Sequence, residues 1–147
     1  MTSVHEVAKY FLTLGDEDAG DFLSNLKLQK LCYYSQGFHL ALFGKPLFYD
    51  RIEAWQHGPV VPDLYHLYKV HGSGAIPMPH GFDITAIDEP VRGLLNEVYN
   101  TYGQFSAWKL RNMTHGEAPW VQAFGRGAGA EIATSSMQDF FKTLLVE

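Results

Sequence analysis

At 147 residues, with 46% hydrophobic and 18% charged residues and a formal net charge of −5, the chain has the size of one domain that buries roughly 70% of its unfolded surface on folding. The apolar share argues against disorder, and the acidic balance argues against nucleic acid as the main ligand, leaving only a local pair such as Lys27 and Lys30. Cys32 is the single cysteine, the first residues lack a signal-peptide pattern, and no apolar run approaches about 18 residues, so a reduced, cytoplasmic protein without a membrane span is expected.

Val4, Val7, Ala8, Phe11 and Leu14 recur at helical spacing, with Thr2 or Ser3 placed to cap the first amides and Gly15 to end the helix. The acids of Asp16-Glu17-Asp18-Ala19-Gly20-Asp21 alternate as in a calcium loop, but the bidentate glutamate such a loop needs would fall on Lys27. The segment therefore reads as a solvated linker.

Ser24 can cap a long helix, Asn25 to Phe43, whose first face carries Leu28, Leu31, Cys32, Ser35, Phe38, His39 and Leu42. A second face carries Leu26, Tyr33, Tyr34, Leu40 and Ala41, so the helix is expected to be buried nearly all round, with Leu28, Leu31, Tyr34 and Phe38 in the core. Gly37 offers a point of close approach and Gly44 a stop.

Over 47–61 the helical period gives way to Phe48, Tyr49, Ile52, Ala54 and Trp55 broken by single charges, which predicts a small hairpin near 47–57. Pro62 and Asp63 open a short helix with Leu64, Leu67 and Tyr68, and turn chemistry over 73–87 predicts a surface loop. Asp88 and Pro90 begin a helix striped by Val91, Leu94, Leu95, Val98, Tyr99 and Tyr102; Ser106 caps another, and Pro119-Trp120 opens a further short one. Gly125 to Ala130 reads as a flexible break, and Ser135 with Gln138 has capping-box spacing at the start of a last helix. The expected fold is mainly α: one domain, 1–147, of six to seven helices packed around the buried helix 25–43, with the hairpin beside it.

No motif supplies a catalytic group, a metal or a cofactor. His66 and His71 point in different directions, and Cys32 and His39 lie two turns apart, too far to share an ion. His115-Gly116-Glu117 before Pro119 lacks the Cys-x-x-Cys of a zinc deaminase, the glycine run lacks a phosphate-loop Lys-Ser/Thr, and no serine sits in a nucleophile elbow. Two proline-stiffened turns remain, Trp55-Gln56-His57-Gly58-Pro59-Val60-Val61-Pro62 and Met113-Thr114-His115-Gly116-Glu117-Ala118-Pro119-Trp120. If they meet, His57 and His115 flank a pocket that serves either recognition or, with Glu53 or Glu117, acid-base or metal chemistry; otherwise each histidine locks its own turn through a backbone carbonyl.

The runs Asn25-Leu26-Lys27-Leu28-Gln29-Lys30-Leu31, Tyr33-Tyr34-Ser35-Gln36-Gly37, Leu40-Ala41-Leu42-Phe43-Gly44-Lys45-Pro46-Leu47-Phe48 and Ile52-Glu53-Ala54-Trp55-Gln56-His57-Gly58-Pro59-Val60-Val61-Pro62 together resemble the Panacea domain of GepA-like and SocA-like proteins, often carried by prophages. Thr114-His115 and Pro119-Trp120 extend the likeness, while Cys32 in place of a leucine and Phe38 in place of a tryptophan depart from it mildly. The resemblance implies a non-enzymatic antitoxin that neutralises a cognate protein toxin by direct binding, or an adaptor delivering that toxin to a Clp protease. Trp55, His57, Gly58, Pro59, Tyr65, Thr114, His115, Pro119 and Trp120 are the residues expected to shape or touch the partner surface.

Overall fold

The computed structural model describes residues 2–15 and 22–145, so the acidic linker 16–21 lies outside the described residues. Among these, seven α-helices and one two-stranded antiparallel hairpin follow in the order α1 (Val4–Leu14), α2 (Asn25–Phe43), β1 (Glu53–Trp55), β2 (Gly58–Val60), α3 (Pro62–Tyr68), α4 (Glu89–Tyr102), α5 (Ala107–Thr114), α6 (Ala118–Gly125) and α7 (Thr134–Lys142).

Helix α1 starts with a full capping box, in which the Ser3 hydroxyl accepts from the Glu6 amide and the Glu6 carboxylate accepts from the Ser3 amide. Its stripe of Val4, Val7, Ala8 and Phe11 is completely buried. Ser24 caps α2, and Gly44, at φ +73°, ends it by donating its amide to the Leu40 carbonyl. Helices α1, α3, α4, α5 and α7 pack against α2, and the expected hub is present: Leu28, Leu31, Tyr33 and Tyr34 are fully buried.

The hub is incomplete at its C-terminal end. Phe38 is only partly buried, and Leu42 and Phe43 stand about half exposed, at 52% and 48%, in contrast to the burial expected of them. Helix α7 crosses at Gly37, where an added Cβ would fall 2.2 Å from the Phe141 ring, and the last turn of α2 runs past this crossing. There it forms one wall of an apolar groove of about 510 Å³ whose other wall is Leu94 and Glu97 of α4.

The hairpin pairs Glu53 with Val60 and Trp55 with Gly58, so it lies later than 47–57. Leu47, Phe48 and Ile52 are buried in irregular chain; the Gln36 side chain accepts from the Leu47 amide at 2.7 Å and donates to the Phe48 carbonyl at 2.8 Å, while the Ile52 carbonyl accepts from the Ile132 amide. Leu47 and Phe48 thus pack without a ladder.

Three further expectations change. The segment Gly125 to Ala130 is no loose break, because the Gly129 amide donates to the Ala54 carbonyl, the Ala54 amide to the Ala130 carbonyl and the Ile132 amide to the Ile52 carbonyl, each at 2.8 Å. Positive φ angles at Gly127 and Gly129 let the chain bend into this pairing along the outer edge of β1. Helix α7 begins after Ala133 with no side-chain cap, and Gln138 instead donates to the Leu40 carbonyl at the end of α2. The loop over 73–87 plugs Ile76 and Ile87 into the core, and the Ile76 amide donates to the Leu23 carbonyl.

Candidate functional site

The turn between β1 and β2 is held from beneath by polar residues of α2. Lys30 donates from Nζ to the Pro59 carbonyl at 3.2 Å, Gln29 accepts from the Val61 amide at 2.9 Å, and Asn25 donates to the Tyr65 carbonyl at 3.1 Å while bonding Gln29 at 2.9 Å. All three side chains are buried. Gly58 sits at φ +108°, where a Cβ would meet Lys30 Cε at 2.6 Å and Thr114 Oγ1 at 2.8 Å, so a glycine is required on both counts. Lys30 and Lys27 are both buried and bonded to the main chain of other elements, Lys27 donating to the Gly103 carbonyl at 2.6 Å.

The second turn, between α5 and α6, docks on the first. Trp120 donates its indole N–H to the Trp55 carbonyl at 2.8 Å, and the His115 ring stacks on Trp120 with centroids 4.1 Å apart. Burial and then the Arg111 charge hold the His115 pKa below its ordinary value against the opposing effect of a hydrogen bond with the Gln56 backbone, and His115 Nε2 is buried without a partner. His57 is exposed and takes another partner: its Nδ1 accepts from Arg111 Nε at 3.2 Å. The Arg111 guanidinium in turn lies 4.4 Å from the ring centre of Trp108, a residue that is 54% exposed.

Below the second turn, both carboxylate oxygens of Glu117 accept phenol hydrogens, from Tyr33 at 3.0 Å and Tyr34 at 2.9 Å. Burial pushes the Glu117 pKa up to about 7 although both hydrogen bonds pull it down, and burial brings that of Lys30 down to about 7, with the Arg111 charge adding to the fall.

The two turns thus meet, and the expected site residues divide by position. Gly58, Pro59, Thr114, Pro119 and Trp120 are buried and shape the turns, whereas His57 is exposed and Trp55, Tyr65 and His115 are half-buried at the surface. Trp55, His57 and Tyr65 line a cleft of about 530 Å³ with Leu26, Val60 and Lys69. Trp108 and Arg111 escaped the sequence reading, although their three-residue spacing, off the Ala107, Leu110, Met113 stripe of α5, marks them as a pair on another face. The inward polar residues Asn25 and Gln29 also left a trace, a four-residue step of amides inside an otherwise apolar helix. Cys32 is buried with its thiol pKa pushed up, and His39 bonds the Lys45 carbonyl at 2.7 Å. Among the described residues no group of three or more His, Cys, Asp or Glu side chains is placed to hold a metal ion, and no helix is long and apolar enough to cross a membrane.

Fold and site define a helical module that uses a buried helix to set two aromatic turns side by side at the surface. The family described as Antitoxin SocA-like, Panacea domain, matches residues 28–121, a stretch that contains both turns. Antitoxin SocA of Caulobacter vibrioides (strain NA1000 / CB15N) is 32% identical over 136 aligned residues, covering 82% of this chain and 72% of that protein. The chain belongs to the SocA-like, Panacea-domain family of antitoxins. No solved structure matches it.

Proposed function

We propose that this protein acts as an antitoxin that neutralises a cognate protein toxin by direct contact, through the surface made by the His57 turn, Trp108 and Arg111. The observation that carries this reading is the contrast between support and exposure. Asn25, Gln29 and Lys30 fix the turn from below, while an exposed indole, a guanidinium stacked on it and an imidazole bonded to that guanidinium face outward. Trp and Arg on a rigid support are the residues that dominate protein interfaces, because little conformational freedom is lost when they are covered. The name of the Caulobacter relative supports the same role.

Co-expression with the product of the adjacent open reading frame tests it. That product is expected to arrest growth alone, to be tolerated beside this protein and to co-purify with it. Trp108→Ala and Arg111→Ala should each weaken the complex by about 2 kcal/mol, roughly 30-fold in Kd by isothermal titration calorimetry. A neighbour that is harmless when expressed alone defeats the proposal. Disappearance of the toxin that requires a Clp protease replaces direct neutralisation by adaptor delivery, and loss of protection in a folded His57→Ala, His115→Ala variant that retains full toxin affinity replaces it by a histidine-dependent activity.

A further inference from the structure

The cleft beside the His57 turn has a charge character opposite to that of the chain. The whole sequence carries 16 acidic against 11 basic residues, yet the segments 55–61, 64–82 and 98–116 contain Lys69, Lys109, Arg111 and five of the seven histidines and not one Asp or Glu. The part of α2 that reaches the cleft, Ser24 to Gln29, is equally free of acids. Glu53, which accepts from the Trp55 indole, is matched by its ion pair with Arg51, and Asp63 and Glu131 also act on Arg51. Among the described residues no carboxylate lines the cleft, and Glu53, Asp63 and Glu131 all act on Arg51, so the described rim is positive, with Lys69 on one side and His57, bonded to Arg111, on the other.

The floor is apolar. Leu26, Val60, Trp55 and Tyr65 line it, with the Trp55 and Tyr65 rings edge to face at 4.9 Å, and its volume of about 530 Å³ is in the range of pockets that enclose a ligand group. We infer that this cleft receives an acidic segment of the partner protein, one apolar side chain seated against Trp55 and Tyr65 with flanking carboxylates meeting Lys69 and Arg111. The partner is the one proposed above, so the inference rests on that reading for the identity of the protein and on the cleft for the chemistry of its segment. A peptide fits better than a nucleic acid strand because few full charges line the rim, and Arg111 is held in one orientation by Trp108 and His57, as suits a paired carboxylate more than a run of phosphates.

Selection of random displayed peptides on the full chain tests this, with counter-selection on a Lys69→Glu, Arg111→Glu variant whose fold is checked by circular dichroism. Enriched peptides should carry an aromatic or large aliphatic residue flanked by Asp or Glu, should bind the double variant at least about tenfold more weakly, and should weaken further as salt shortens the screening length. If the double variant does not fold, Lys69→Glu alone, at an exposed position, is expected to lower the affinity by about threefold or more. Enrichment of peptides without acids, equal binding to the charge-reversed chain, no enrichment, or tighter binding of a poly(dT) strand overturns the inference. Acidic peptides selected by a chain that protects against no neighbouring toxin would leave the cleft chemistry standing and remove the antitoxin role. Protection and toxin affinity that survive Lys69→Glu but fall with Trp108→Ala would do the reverse.

Discussion

Glu117 and Lys30 are ionisable groups placed where ionisation is costly, and they act on stability in opposite pH windows. The Glu117 carboxyl titrates at about 7 in the folded chain, against an ordinary value of 4.5. The folded state holds that proton more tightly, so the stability associated with it is fully present below about pH 4.5 and is lost as pH rises through about 7. Lys30 titrates at about 7 against an ordinary 10.5, so the unfolded state holds the proton more tightly; its stability is present above about pH 10.5 and is lost as pH falls toward 7. Neutral pH is thus where the pair weighs most heavily on the fold. Glu117→Gln should flatten the limb between about pH 4.5 and 7 and stabilise the protein at pH 8 by roughly 2–3 kcal/mol in urea titrations. Lys30→Met should remove the alkaline limb and add about 1–4 kcal/mol at pH 7, while releasing the Pro59 carbonyl and so reducing toxin affinity. Equal stability of Lys30→Met and the parent chain at pH 7 would show that the ammonium is not desolvated there.

At the scale of elements, the contact between α2 and α7 turns on one missing side chain. Phe141 is fully buried and packs edge to face against Tyr33 and Tyr34, with ring centres 5.4 and 5.9 Å away. Gly37→Ala would drive a methyl into that ring and should cost about 1–3 kcal/mol; Phe141→Leu in the same chain should cost less than the sum of the two changes, a coupling that a double-mutant cycle measures. The helices and this close approach were legible in the sequence because both depend on local period and on glycine position. The hairpin boundary was not, since Leu47 and Phe48 are as apolar as strand residues but have their backbone served by Gln36. Each turn of the site was also legible as a motif. Their meeting was not, because it depends on a bond between Trp120 and Trp55, 65 residues apart, and on α2 amides whose inward direction no local pattern reveals.

Across the whole molecule, the family match over 28–121 and the packed core do not coincide. Phe11 of α1 and Met137 and Phe141 of α7 are buried at 1% exposure or less, so the matched stretch alone lacks the lids of its own hub. A fragment of residues 28–121 is expected to give no cooperative thermal transition and no near-ultraviolet circular dichroism, whereas the full chain gives both; a fragment that melts cooperatively would mean that α1 and α7 are accessories. The C-terminal segment does more than cover the core. Gly129 and Ala130 occupy the free side of β1 through Ala54, and on the far side of β2 the Pro59 carbonyl and the Val61 amide are already taken by Lys30 and Gln29, while Pro59 has no amide hydrogen to offer. Both margins of the described hairpin are thereby closed to strand addition, the simplest way for a sheet to capture a foreign peptide. A partner has to read the relief of rings and charges here, and an inhibitor designed as an extended strand would find no main-chain groups on this hairpin with which to pair.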